Sequence, residues 1–356
     1  METLVLSHIP SLRAIRAARR AYGRLPWDAV GRVEQRQALK GCVPNVDQLD
    51  YDELARMGAW EHGEGEPLHV LVADPKARRN KELLTCHVVS GALPTAALMR
   101  MAPGVYACSP AFAALLYSRG RSLGEVLTLL MEFLGTYSLP PEATLPIAWG
   151  GIWPDERSKR DVEQAHYRCD PALSMAELRA LSRWAKSSGY HVFREAVRIA
   201  APGSASPCET VMYGMLGAPM RHGGFACAAL PKGGVALNFR LDFDANAVRM
   251  ASSVPYAICD AFIPSAKIDV EYNGAGHEKE NARIHDGQRN NGLKGMGVTV
   301  LVINRDQMRD IVALEAIAKA IYKAAGKRFR YYVDGYRKSQ EKWLNELRRG
   351  VGLPPA

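Results

Sequence analysis

Residues 259–303 read CDAFIPSAKIDVEYNGAGHEKENARIHDGQRNNGLKGMGVTVLVI. Tyr256 to Phe262 and Lys267 to Tyr272 have the apolar, β-branched and aromatic content of strands. Ala282 to Lys294 predicts a polar helix, and the unbroken apolar run Val298 to Ile303 predicts a strand covered on both faces. Asp260 falls in the first strand. Glu271 and Asn273 stand two apart at the end of the second, on one face. Ten residues separate Asp260 from Glu271, enough for a turn and an antiparallel return that brings the two carboxylates together. Two carboxylates beside a backbone carbonyl make a hard-oxygen site suited to Mg²⁺. Such an ion activates water and neutralises charge on a phosphate. Gly274 and Gly276 bare the backbone next to the strand end.

Working outward, Cys208 to Leu216 predicts a helix with Glu209 in its first turn, Gly233 to Phe239 a strand, and Ile311 to Ala325 an amphipathic helix. The order is helix, three strands, helix, strand, helix. The linker-like run Ala201-Pro-Gly-Ser-Ala-Ser-Pro207 precedes it. Further upstream, Leu68 to Ala73, Leu84 to Val89 and Gly104 to Ala107 predict strands, and Ala111 to Tyr117 and Leu123 to Leu134 predict helices. Ser174 and Glu177 form a capping box that opens a helix to about Lys186, and Tyr190 to Ala200 predicts another. Ser11 to Gln37 predicts one or two amphipathic helices broken near Pro26. The expected organisation is a helical N-terminal segment (1–60), an α+β domain (61–200), a third domain (201–325) and a basic helical segment (326–356).

Composition bounds the remaining possibilities. Of 356 residues, 47% are hydrophobic and 23% charged, which excludes a disordered chain, a coiled coil or a fibrous repeat. Apolar runs are too short for a membrane span, and the first twenty residues lack the order of a secretory signal. Seven cysteines without a CxxC pair point to reduced thiols in a cytoplasm. The net charge is +9, and Lys319 to Arg349 alone carries ten basic and three acidic residues. A basic terminal segment on a nearly neutral body points to nucleic acid.

The segment Ala205 to Ala325 resembles the PD-(D/E)XK nuclease superfamily, in the branch around the very-short-patch repair endonuclease. SPCET (Ser206 to Thr210) is similar to its opening acidic helix, CDAFIP to the strand with the first motif aspartate, and DVEYNGAGH to the strand with the second motif acid. HDGQRNNGLKGMGVTVLVI is similar to its helix and last core strand. The resemblance implies an α/β chain: an α+β N-terminal portion, then a restriction-endonuclease-like mixed sheet flanked by helices. It implies an endonuclease in which Asp260 and Glu271 hold Mg²⁺ (or Mn²⁺), with the Tyr272 carbonyl as a third ligand and Glu209 in support. Asn273 stands where the superfamily usually has lysine, and His277 or Lys279 would compensate. DNA is the expected partner, with RNA left open. Lys279, Arg289, Lys327, Arg328, Arg330, Arg337, Lys338 and Lys342 are the expected phosphate contacts.

Each residue also has a plainer reading. Glu209 suits a first helical turn by dipole alone. Asn273 suits a turn. Asp269 shares Glu271's parity and so competes with it or joins it. Asp286 and Arg289 are i, i+3 partners for a surface ion pair. Trp343, Leu344 and Leu347 on the last helix either pack or, in the case of Trp343, stack on a base. Asn273 also leaves open a DNA-binding regulatory, antitoxin-like protein that keeps the nuclease scaffold with weak or no activity.

Overall fold

The structure, a computed structural model, describes residues 3–42, 44–45, 49–60, 67–77, 83–89, 91–141, 165–273 and 280–356; for 280–286 it describes the backbone only. The chain is mixed α/β and divides into two compact units at Ala200/Ala201, with residues 350–352 grouped with the first unit and 353–356 with the second.

In the first unit, strands β1 (Leu4–Leu6), β2 (Asp28–Ala29), β3 (Leu68–Val72), β4 (Leu84–Val88), β5 (Leu98–Ala102) and β6 (Val105–Cys108) form one sheet in the order β2-β5-β6-β1-β3-β4. The first sixty residues are therefore not a separate helical segment. Their β1 runs parallel to β6 and antiparallel to β3, inside the sheet. Helices α1 (His8–Tyr22), α2 (Arg32–Gly41), α3 (Tyr51–Arg56), α4 (Pro110–Tyr117), α5 (Leu123–Leu134), α6 (Met175–Trp184) and α7 (His191–Ile199) complete the unit, with a two-stranded ribbon of β7 (Tyr137–Ser138) and β8 (His166–Tyr167). Both Ser122 on α5 and Ser174 on α6 open their helices with a full capping box.

Three of the four arginines of α1 are interior groups. Arg13, Arg16 and Arg19 are buried at three-residue spacing beside Ile9, Leu12 and Ile15. Arg16 grips Glu132 of α5 with Nε at 3.0 Å and Nη2 at 2.6 Å, and Glu132 also accepts the Leu139 N–H. Arg19 donates to the carbonyls of Glu132, Gly135 and Asp170. A buried charge pair is hard to lose one partner at a time, so these arginines hold α1 in place and are not offered to a ligand.

The second unit opens with α8 (Pro207–Gly217) and continues through β9 (Ala236–Asp242), α9 (Ala245–Met250), β10 (Tyr256–Ile263), β11 (Ile268–Asn273), α10 (Glu280–Gly295), β12 (Thr299–Asn304), α11 (Ile311–Ala324) and α12 (Tyr336–Gly350). The sheet order is β12-β11-β10-β9. β9, β10 and β11 form an antiparallel meander, and β12 joins β11 in parallel through the α10 crossover. Ala257, Cys259, Phe262, Leu293 and Val298 form the core between the sheet and α10. Gly292 of α10 lies where a Cβ would strike the Phe243 ring.

The apolar run 298–303 does not become a strand covered on both faces. β12 is an edge strand, and Val302 is 50% exposed. A single crossover helix covers one side of a strand, so an apolar run at the edge keeps one side open. Trp343, Leu344 and Leu347 of α12 are buried, and the Trp343 indole donates to the Gly214 carbonyl at 2.9 Å. That Trp343 is a packing residue, not a stacking platform. All seven cysteines are free thiols, six of them buried. No helix of the described residues is long and apolar enough to cross a membrane.

Candidate carboxylate site

Helix α8 places Glu209. Pro207 occupies the first turn, where its missing N–H costs nothing, and the Ser206 hydroxyl accepts the Glu209 N–H at 3.1 Å. The Glu209 carboxylate then folds back onto its own approach loop. Its Oε2 accepts the Ala205 N–H at 2.8 Å and the Asn238 amide at 2.6 Å. Asn238 is held in the left-handed region at φ 44° and also donates to the Gly203 carbonyl, at 2.8 Å. Glu209 is thus a helix-start residue and a structural acceptor. It also neighbours Asp260: burial first, and then the Asp260 charge, push its carboxyl up to about 7.

The pairing of β10 with β11 sets Ala261 opposite Val270, Phe262 opposite Asp269 and Ile263 opposite Ile268. That register ends at Ala261 and Val270, one step short of Asp260 and Glu271. There the ladder gives way to a side chain, because Asp260 Oδ2 accepts the Tyr272 N–H at 3.1 Å. Burial and then the Glu271 charge raise the Asp260 carboxyl, while the Tyr272 N–H and Arg289 oppose the rise. The strand spacing therefore does bring the two acids within each other's field.

Asp269 is the acid with the least access to water. It is fully buried, and burial together with Glu271 pushes its carboxyl well above the usual range. The counter-charge comes from Arg289 on α10. Its Nη2 donates to Asp269 Oδ2 at 3.0 Å and to the Ile258 carbonyl at 2.6 Å, and its Nη1 pairs with Glu271 Oε1. Arg289 is thus a clamp between helix and sheet, with its nitrogens turned to carboxylates and a carbonyl. Asp286, the i−3 neighbour, has no described side chain. His277 and Lys279 lie outside the described residues. Asn273 is exposed at the end of β11, level with Asn304 of β12.

The four acids and one arginine leave an excess of negative charge in a half-buried place. Their donors are hard oxygens, the chemistry a Mg²⁺ ion takes. Among the described residues, however, no three of these carboxylates bring oxygens within 4.8 Å of one another.

Arg305 and Arg309 escaped the sequence reading of the site, and Arg348 entered it only as part of the basic terminal segment. Tyr272 and Cys208 hydrogen-bond through their side chains, and both feel the charges of Arg305 and Arg348. Burial, then the charges of Arg309 and Arg305, lower Arg348 to about 10. Arg348 comes from α12, so the basic terminal segment does reach the acid-bearing end of β11. Nothing in the spacing of these residues announces the meeting.

The remaining basic candidates lie elsewhere on the second unit. Lys327, Arg328 and Arg330, all exposed, line a concavity of about 830 Å³ with Arg221, Tyr322 and Tyr332. Arg337 is taken up by Glu315 at 2.8 Å, while the exposed Lys342 approaches Glu346 at 3.7 Å. Lys338 is exposed.

No protein-family model matches the chain, and no curated protein and no solved structure matches it.

Proposed function

We propose that the second unit hydrolyses phosphodiester bonds of DNA with the help of Mg²⁺ or Mn²⁺. The reading rests on one observation: Asp260 and Glu271, on adjacent strands, feel each other's charge, and Glu209 of a helix start is coupled to Asp260. Asp260 and Glu271 would hold the ion, which when bound supplies Lewis-acid activation and charge neutralisation. Glu209, poised near neutrality, holds or releases a proton beside that pair. Asn273 offers an amide hydrogen bond to a phosphate oxygen where the superfamily has lysine. Arg305, Arg309 and Arg348 supply positive charge for the nucleic-acid backbone.

The test is cleavage of plasmid, single-stranded DNA and RNA with Mg²⁺ or Mn²⁺, with Asp260→Ala and Glu271→Ala alongside. Each substitution is expected to lower the rate by roughly a hundredfold or more. Absence of cleavage by wild type, or equal cleavage by both variants, sinks the reading. A second reading, a DNA-binding regulator on a nuclease scaffold, is favoured by the Arg289 grip on Glu271 and by the uncharged Asn273. Its signature is retained DNA binding without cleavage in the same assay.

A further inference from the structure

Three histidines of the first unit meet where β1 turns into α1. The register of β3 against β4 pairs His69 with Thr85 and Leu71 with His87. His69 and His87 are therefore diagonal neighbours on one face of the sheet. His69 Nδ1 lies 2.8 Å from His87 Nε2. His8, the first residue of α1, stacks its ring on His87 at 3.9 Å and tilts toward His69 at 5.5 Å. One ligand nitrogen from each of the three lies within 4.8 Å of the others, and all three side chains are half-buried. Among the described residues, no other set of three metal-ligating side chains converges this closely.

The backbone around His8 is built to hold it there. His8 sits in the left-handed region at φ 49°, an uncommon conformation for a residue with a Cβ. The preceding Ser7 is fully buried, and its N–H donates to the His69 carbonyl at 2.9 Å, which fixes the junction to β3. The Ser7 hydroxyl lies 3.0 Å from His8 Nδ1. That contact turns His8 so that Nε2 is the atom left for the cluster. Supporting a ligand imidazole through its other nitrogen is the usual arrangement in metal sites.

We propose that His8, His69 and His87 bind one borderline divalent transition ion, Zn²⁺ first of all, through His8 Nε2, His69 Nδ1 and His87 Nε2. Neutral imidazole is the form that ligates. Burial first, then the neighbouring histidines and Arg119, take His8 down to about 3, and burial lowers His69. A wholly imidazole donor set suits Zn²⁺, Cu²⁺, Ni²⁺ and Co²⁺ and does not suit Mg²⁺ or Ca²⁺. Three protein ligands leave the fourth tetrahedral position to water. With Zn–N bonds of about 2.0–2.1 Å, tetrahedral ligand nitrogens stand about 3.3 Å apart. The His69–His87 pair thus opens by about half an ångström on binding, within reach of side-chain rotation. Arg119 opposes the ion's charge and limits the affinity.

The experiment uses the full chain. Dialysis against Zn²⁺ followed by elemental analysis is expected to return one equivalent per chain, undiminished by excess Mg²⁺. Co²⁺ loading is expected to give visible d–d bands without a thiolate charge-transfer band. His69→Gln and His87→Gln should each weaken binding by more than the roughly 10–100-fold that the loss of an outer partner costs, and Ser7→Ala should fall within that range. His191→Ala, at an exposed histidine bonded to Ser188, should change nothing. Melting curves check that each variant folds. Where one does not, X-ray absorption of the Zn²⁺-loaded wild type decides, with three imidazole nitrogens expected in the first shell. No bound Zn²⁺ in wild type, full retention in the folded glutamine variants, or a sulfur-containing first shell each overturns the proposal.

Discussion

Glu209 is the residue whose protonation carries the clearest energetic consequence. Its carboxyl rises from 4.5 to about 7, so between these values the native state holds a proton that the unfolded chain has released. The contribution to stability is therefore fully present below about pH 4.5 and lost as pH rises through 7. Glu209→Gln keeps the neutral shape, and one amide oxygen still accepts from Ala205 and Asn238. The variant is expected to lose that pH slope and to exceed wild type at pH 8 by on the order of 3 kcal/mol. Urea unfolding at pH 5 and pH 8 measures it; parallel slopes in the two proteins refute the assignment. At this scale the sequence was informative about acids and poor on bases. Strand alternation exposed Asp260, Asp269 and Glu271, because a period of two is local. The partners of Arg289 were invisible because they lie eighteen, twenty and thirty-one residues away, on β11 and β10, which only the fold brings to α10.

Among elements, α10 is the one whose seating depends on charge. Its polar composition leaves a small apolar seam, Leu293 against the sheet, and Arg289 supplies the second attachment at Asp269, Glu271 and Ile258. Arg289→Ala leaves a fully buried Asp269 without its cation and is expected to cost on the order of 3 kcal/mol. Asp269→Asn in the same background should return part of that loss, and chemical denaturation of the single and double variants tests the coupling. Long elements with strong periodicity were readable in advance: β10, β11, α10, β12 and α11 fall within two residues of their expected bounds. Some short ones were not. β1 has three residues and α9 has six, too few to show a period, and α9 owes its start to the Asp244 side chain accepting the Asn246 and Ala247 N–H groups.

For the whole molecule, charge is divided unequally. Residues 209–315 carry eleven basic and twelve acidic side chains, and most of the +9 lies beyond them. If the second unit binds DNA as proposed, Lys327, Arg328 and Arg330, exposed around one concavity, are cations available to its phosphates. Replacing the three cations by alanine is expected to lower the slope of log affinity for DNA against log salt by up to about 3 units and to leave folding intact. An unchanged slope would remove this concavity from the interface. The break at 200/201 was legible from its proline, glycine and serine content, whereas the threading of β1 into the middle of the first sheet required the fold.

The distribution of thiols has a practical corollary. Cys42, Cys86, Cys108 and Cys169 belong to the first unit, and Cys208, Cys227 and Cys259 to the second. Burial pushes Cys42, Cys108 and Cys227 up to about 12, so these hold almost no thiolate at neutral pH. Alkylation at those positions must wait for the surrounding structure to open. The chain thus carries a built-in clock in each half: Cys42 and Cys108 time the breathing of one unit and Cys227 that of the other, without any added probe.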